Sequence, residues 1–129
     1  MHIKNLLADK AYLIAITITV AIAIVSLISL KEIPTLSFKI NNSDKIGHCL
    51  AYFTLTISWF FATKNTLNTS HHKTILILLL ISYGTIIEGI QGMLTTYRTA
   101  DIYDILANSL GVFLGAIFFI KFNQRVNSK

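Results

Sequence analysis

Four apolar runs, at about 11–30, 46–63, 74–94 and 102–122, leave this chain little choice of environment. The first, Ala11 to Leu30, is twenty residues without a charge. As a helix rising ~1.5 Å per residue it covers the ~30 Å hydrocarbon layer of a bilayer. Across the chain 53% of residues are hydrophobic and 13% charged, about half the charged fraction of a soluble domain. A soluble globule is therefore excluded. The runs predict an all-α integral membrane protein, a bundle of four transmembrane helices forming a single domain over residues 1–129. A cleaved signal peptide would carry a shorter apolar region, ~7–15 residues, before a small-residue site, so the first run is read as a span.

The breaks between runs are short and polar. Residues 33–43 hold the one proline, Pro34, and the patch Ile40-Asn41-Asn42-Ser43, and read as a loop with a short interfacial piece around Leu36 to Ile40. The segment Lys64 to Lys73 is polar and basic, and its adjacent His71 and His72 read as solvated loop residues. Thr95 to Ala100 forms the last connection. The net charge of +5 comes from Lys and Arg beside apolar runs, which points to membrane orientation and anionic headgroups and away from nucleic acid. Cys49 is the one cysteine, so it has no intrachain disulfide partner and reads as a small packing residue.

With four spans both termini and the 64–73 loop share one side. Seven basic residues fall there (Lys4, Lys10, Lys64, Lys73, Lys121, Arg125, Lys129) against four opposite (Lys31, Lys39, Lys45, Arg98). The positive-inside rule then puts both termini in the cytoplasm.

Polar residues inside the runs follow helical spacing. Asp101, Asp104, Asn108, Gly111 and Gly115 step by three or four, as do Gly84, Glu88, Gln91 and Thr95; Asp44, His48 and Tyr52 step by four. Each set shares one helix face. Ionisable groups in a bilayer turn toward protein or water, and glycines mark close helix contact. Gly47 and Ala51 form a further small pair, and Trp59 stands where an interfacial anchor would. Because the second run begins, the third ends and the fourth begins on one side, Asp44, Lys45, His48, Glu88, Gln91, Arg98, Asp101, Asp104 and Asn108 are expected to gather in one leaflet. Glu88 and Asn108 both lie about 9 Å below that surface, within reach of each other. The first run supplies no such group and is assigned a packing role.

Three blocks in this order resemble the VanZ-like family, named for a bacterial factor linked to resistance against the glycopeptide teicoplanin. They are Asp44-Lys45-x-x-His48-x-x-x-Tyr52-Phe53, Glu88-x-x-Gln91, and Arg98-x-x-Asp101-x-x-Asp104-x-x-x-Asn108-x-x-Gly111-x-x-x-Gly115. The resemblance implies a small protein of the bacterial inner membrane. It names no substrate, so mechanism rests on the residues.

Bland roles account for several of them. Asp44 and Asp101 suit helix N-caps, with Asp104 in the first turn of its helix. Lys45 reaches headgroups by snorkelling, Arg98 partners an aspartate, Tyr52 packs, and Asn108 hydrogen-bonds between helices. Glu88 and His48 resist this treatment better. So deep a carboxylate has no cap to serve and needs a proton or a partner to offset a cost of ~2.5–3.5 kcal/mol; His48 is the first candidate and Arg98 the second.

Two functions remain open. In the first, Asp44, Lys45, His48, Tyr52, Glu88, Gln91, Arg98, Asp101, Asp104 and Asn108 line an outer-leaflet pocket for a lipid-linked or other amphiphilic small molecule, with no cofactor. In the second, His48, Glu88, Asp101 and Asp104 bind a divalent cation or act as acid and base on a lipid-linked phosphate or cell-wall precursor. No tight ligand motif assigns a metal, which favours binding over catalysis.

Overall fold

A computed structural model of the chain describes residues 2–28, 43–66, 69–94 and 100–128, with side chains from residue 9 in the first helix and from 44 in the second. Four helices run in chain order: α1 (His2–Leu27), α2 (Ser43–Ala62), α3 (Ser70–Leu94) and α4 (Ile102–Asn127). The loop containing Pro34, the interfacial piece at 36–40, Asn42, Thr95 and Arg98 lie outside the described residues. The helices outrun the apolar stretches at several ends, because a polar residue ends a hydrophobic run without ending a helix. His71 and His72 accordingly sit in the first turn of α3, with His72 hydrogen-bonded to Thr69 through Nδ1 at 2.7 Å.

Among the described residues three helices are long and apolar enough to cross a membrane: Asp9–Leu27, Ser70–Leu94 and Ile102–Asn127. α2 is less apolar for a structural reason. It lies at the centre of the bundle, packed most extensively on α4 and also against α1 and α3. Its Tyr52, Leu55, Thr56 and Phe60 are buried, so protein shields polar atoms that lipid would not. At 20 residues it is still ~30 Å long, one bilayer thickness.

Between helices already in lipid, association rests on close packing and hydrogen bonds, since acyl chains are as apolar as leucine. The α2–α4 contact shows this. A Cβ added at Gly111 would strike the Cys49 carbonyl oxygen and lie 3.0 Å from Phe53 N, and one at Gly115 would lie 2.8 Å from Phe53 O. The two backbones thus touch where α4 carries no side chain. Tyr52, Leu55, Leu80 and Val112 form the core beside this seam, and Phe60, Ala116 and Phe119 form a second cluster deeper along α2 and α4. Gly47 behaves differently from the expectation for a small pair: it is exposed, with nothing within 4 Å of its Cβ position.

α1 is peripheral. Ala15 is its one buried residue among those described, while Leu13, Ile14, Val20, Ile24 and Val25 are at least half exposed, as lipid contact requires. Its attachment is partly polar, which the apolar sequence concealed. Trp59 Nε1 donates to Thr19 Oγ1 at 3.0 Å, Tyr83 OH donates to the Thr19 carbonyl at 2.6 Å, and Gln91 Nε2 donates to the Ser26 carbonyl at 2.7 Å. Trp59 is therefore a tie between α2 and α1, half-buried and edge-on to Tyr12.

Candidate functional site

The start of α2, the end of α3 and the start of α4 meet at one end of the bundle. Asp101 initiates α4 as its N-cap, extended at φ −103° and ψ 118°, with its carboxylate accepting from Tyr103 N at 2.9 Å. That turn puts Asp104 and Asn108 on the buried face of α4, each 2% exposed. From α2, Lys45 Nζ reaches both aspartates, 3.1 Å from Asp101 Oδ2 and 3.4 Å from Asp104 Oδ1, and lies 5.8 Å above the Tyr103 ring.

One turn deeper, His48 Nδ1 is 3.0 Å from Asn108 Oδ1 and Nε2 is 3.7 Å from Asp104 Oδ2. Both ring nitrogens therefore face oxygens of α4. Asp44, a turn above His48 on the same face of α2, closes a group in which Asp44, His48 and Asp104 each offer one donor atom and these atoms lie within 4.8 Å of one another.

Glu88 is 1% exposed, and its partner is neither His48 nor Asn108. Its Oε1 accepts the Asp101 backbone N–H at 3.2 Å. The deep carboxylate of α3 thus caps a neighbouring helix, taking one of the orphan N–H groups at the start of α4. Close packing at the turn makes this reach short: a Cβ on Gly92 would be 2.8 Å from Ala100 N. Tyr52 is 1% exposed, its ring lying against Gly84, where an added Cβ would be 2.9 Å from Tyr52 Cε1. Its buried hydroxyl has no hydrogen-bond partner among the described residues.

The structure brings Asp44, Lys45, His48, Asp101, Asp104 and Asn108 into one cluster and attaches Glu88 to it through the Asp101 backbone. Gln91 bonds to α1, and Arg98 lies outside the described residues. At the opposite end, where no site was expected, a pocket of about 210 Å³ is lined by Phe60, Lys64, Lys73, Phe119, Asn123 and Gln124 among others. Its residues come from three helix ends with no shared motif, so spacing within any one helix carries no signal for it.

The profile of the VanZ/LLP1 family matches residues 8–123, most of the chain and all four helices in part or whole. The chain belongs to the VanZ/LLP1 family. Within it the ionic cluster occupies the three blocks on which the resemblance rested. An uncharacterized protein of Schizosaccharomyces pombe is 34% identical over 92 residues, which cover 71% of this chain and 54% of that one. The chain spans about half the length of that relative. No solved structure matches. Since a yeast protein is similar to this VanZ/LLP1 member, the resemblance does not by itself assign the chain to a bacterial membrane.

Proposed function

We propose that this VanZ/LLP1 protein binds the polar head of a membrane amphiphile in the cluster formed by α2, α3 and α4. The observation that carries the reading is a half-open ionic site at the end of an apolar bundle. Asp104 and Asn108 are buried, Lys45 and Asp101 keep about a third of their side-chain surface, and Ile46, Leu50, Ile102 and Leu106 beside them are about 60% exposed. A head inserted at the cluster would keep its acyl chain on that apolar rim. Because Lys45 is already paired with two aspartates, an anionic head would compete with them. The carboxylates favour a head rich in amine and hydroxyl donors, such as a lipid-linked cell-wall precursor or a lipoglycopeptide of the teicoplanin type. The excess of basic residues at the other end supports an outward-facing cluster with both termini in the cytoplasm, and a bacterial inner membrane is the setting in which such ligands occur.

Catalysis on a lipid-linked phosphate is the weaker reading. A histidine base needs one ring nitrogen directed at its substrate, whereas both nitrogens of His48 face protein oxygens.

The test is retention of teicoplanin by the full chain in nanodiscs. Wild type should retain it, and Asp101→Asn and Asp104→Asn should each weaken retention at least tenfold. Equal retention by all three, or none by wild type, would contradict the reading for this ligand class.

A further inference from the structure

We infer that Asp44, His48 and Asp104 form a binding site for one divalent transition-metal ion, of the zinc or manganese kind. The inference stands on donor geometry and is independent of amphiphile binding, since either property can be present without the other.

The sequence sets up the donors on two elements. Asp44 and His48, four apart, lie on one face of α2, and Asp104 comes from the first turn of α4 opposite them. Their donor atoms lie within 4.8 Å of one another. With metal–ligand bonds of ~2.0–2.2 Å, two donors to one ion stand ~3.4 Å apart at the tetrahedral angle and ~4.2 Å apart across it. His48 Nε2 and Asp104 Oδ2, at 3.7 Å, fall inside that interval. The other pairs, within 4.8 Å, close with side-chain adjustments of at most about 0.6 Å.

The tautomer of His48 gives the second argument. Asn108 Oδ1 only accepts hydrogen bonds, so Nδ1, 3.0 Å away, carries the ring proton. Nε2 is the nitrogen turned toward the Asp104 carboxylate, 3.7 Å from Oδ2. A cation between the two would be held by both. A histidine that donates through one nitrogen to an oxygen and ligates through the other is the usual arrangement around a bound metal.

Access agrees. Asp104 is buried, His48 half-buried and Asp44 exposed, so the group opens outward on one side and leaves a path for an ion. One imidazole with two carboxylates suits zinc or manganese better than a soft ion, which prefers sulfur, or calcium, which prefers all-oxygen shells.

The experiment uses the full chain, purified in detergent without a histidine tag, stripped with chelator and dialysed against Zn²⁺ or Co²⁺. Wild type should take up one ion per chain, and the Co²⁺ form should show the visible absorption of a nitrogen and oxygen ligand set. His48→Ala and Asp44→Asn should each weaken binding at least tenfold. Asn108→Leu should weaken it about tenfold through the lost support of Nδ1. Lys45→Met should leave binding intact or tighten it, since Lys45 shares Asp104 with the ion. Replacing His71 and His72 together by Ala should change nothing. Asp44 is exposed, so Asp44→Asn keeps the test valid if an inner variant unfolds, and far-UV circular dichroism on the same samples identifies such a case. Uptake of no stoichiometric ion by wild type, or undiminished uptake by both His48→Ala and Asp44→Asn, overturns the inference.

Discussion

Substituting Gly111 by Ala adds one methyl group at the point where α4 touches the backbone of α2. Ordinary van der Waals contact for a Cβ begins at 3.4 Å. At Gly115 the nearest backbone atom would be 2.8 Å away, so the helices must part by about 0.6 Å there, and at Gly111 the Cys49 carbonyl lies nearer still. Neither neighbour is a side chain that can rotate away. Overpacking of this kind costs ~1–3 kcal/mol, against ~0.5–1 kcal/mol that Gly→Ala gains in an unobstructed helix. Gly47 in α2 supplies the control, having nothing within 4 Å of its Cβ position. Gly47→Ala should therefore stabilise the protein, and Gly111→Ala should fall below it by the overpacking cost, about 1–3 kcal/mol. Reversible unfolding in mixed micelles with increasing dodecyl sulfate, followed by far-UV circular dichroism, measures both. The same separation would lengthen the Lys45–Asp104 and His48–Asn108 contacts, so Gly111→Ala should also weaken ligand retention without touching a polar residue. If Gly111→Ala proved as stable as Gly47→Ala, the close α2–α4 seam would be wrong.

Further outcomes follow from single contacts. Glu88→Gln keeps an oxygen for the Asp101 N–H and should cost little, whereas Glu88→Leu orphans that N–H and should cost ~1–3 kcal/mol in the same unfolding assay. Tyr52→Phe removes a buried hydroxyl that has no partner among the described residues and should hold or raise stability; a loss would show that the hydroxyl is bonded in the membrane. Trp59→Phe removes the tie to Thr19 and should cost ~0.5–1.5 kcal/mol, read by circular dichroism because Trp59 is the one tryptophan. In a Cys49→Ser background, Asn127→Cys should react with a membrane-impermeant maleimide only after cells are opened; labelling of intact cells would invert the proposed topology.

The buried faces were legible wherever a polar or glycine stripe interrupted an apolar run. Asp104, Asn108, Gly111 and Gly115 are all buried on α4, and Gly84, Glu88 and Gln91 on α3, because lipid tolerates neither charge nor a gap in side-chain cover. The convergence of three helix ends also followed from counting spans. The partner of each side chain did not. Glu88 bonds to a backbone N–H, and every residue except proline carries one, so no residue type announces it. The ties of α1 were hidden for the same reason, since Gln91 and Tyr83 bond to the carbonyls of Ser26 and Thr19. Gly47 shows the converse, a small residue at the right spacing that faces away from any helix. Spacing fixes which residues share a face, whereas helix rotation, set by total packing, decides what that face meets.

The convergence of α2 and α4 at their polar ends is tested most directly by a double-mutant cycle on His48 and Asn108, 3.0 Å apart across the two helices. Unfolding free energies of His48→Phe, Asn108→Leu and the double variant should show a coupling of ~0.5–1.5 kcal/mol, the net worth of one buried hydrogen bond. Additivity to within ~0.3 kcal/mol, the behaviour of residues that do not touch, would place the two side chains apart and contradict the account.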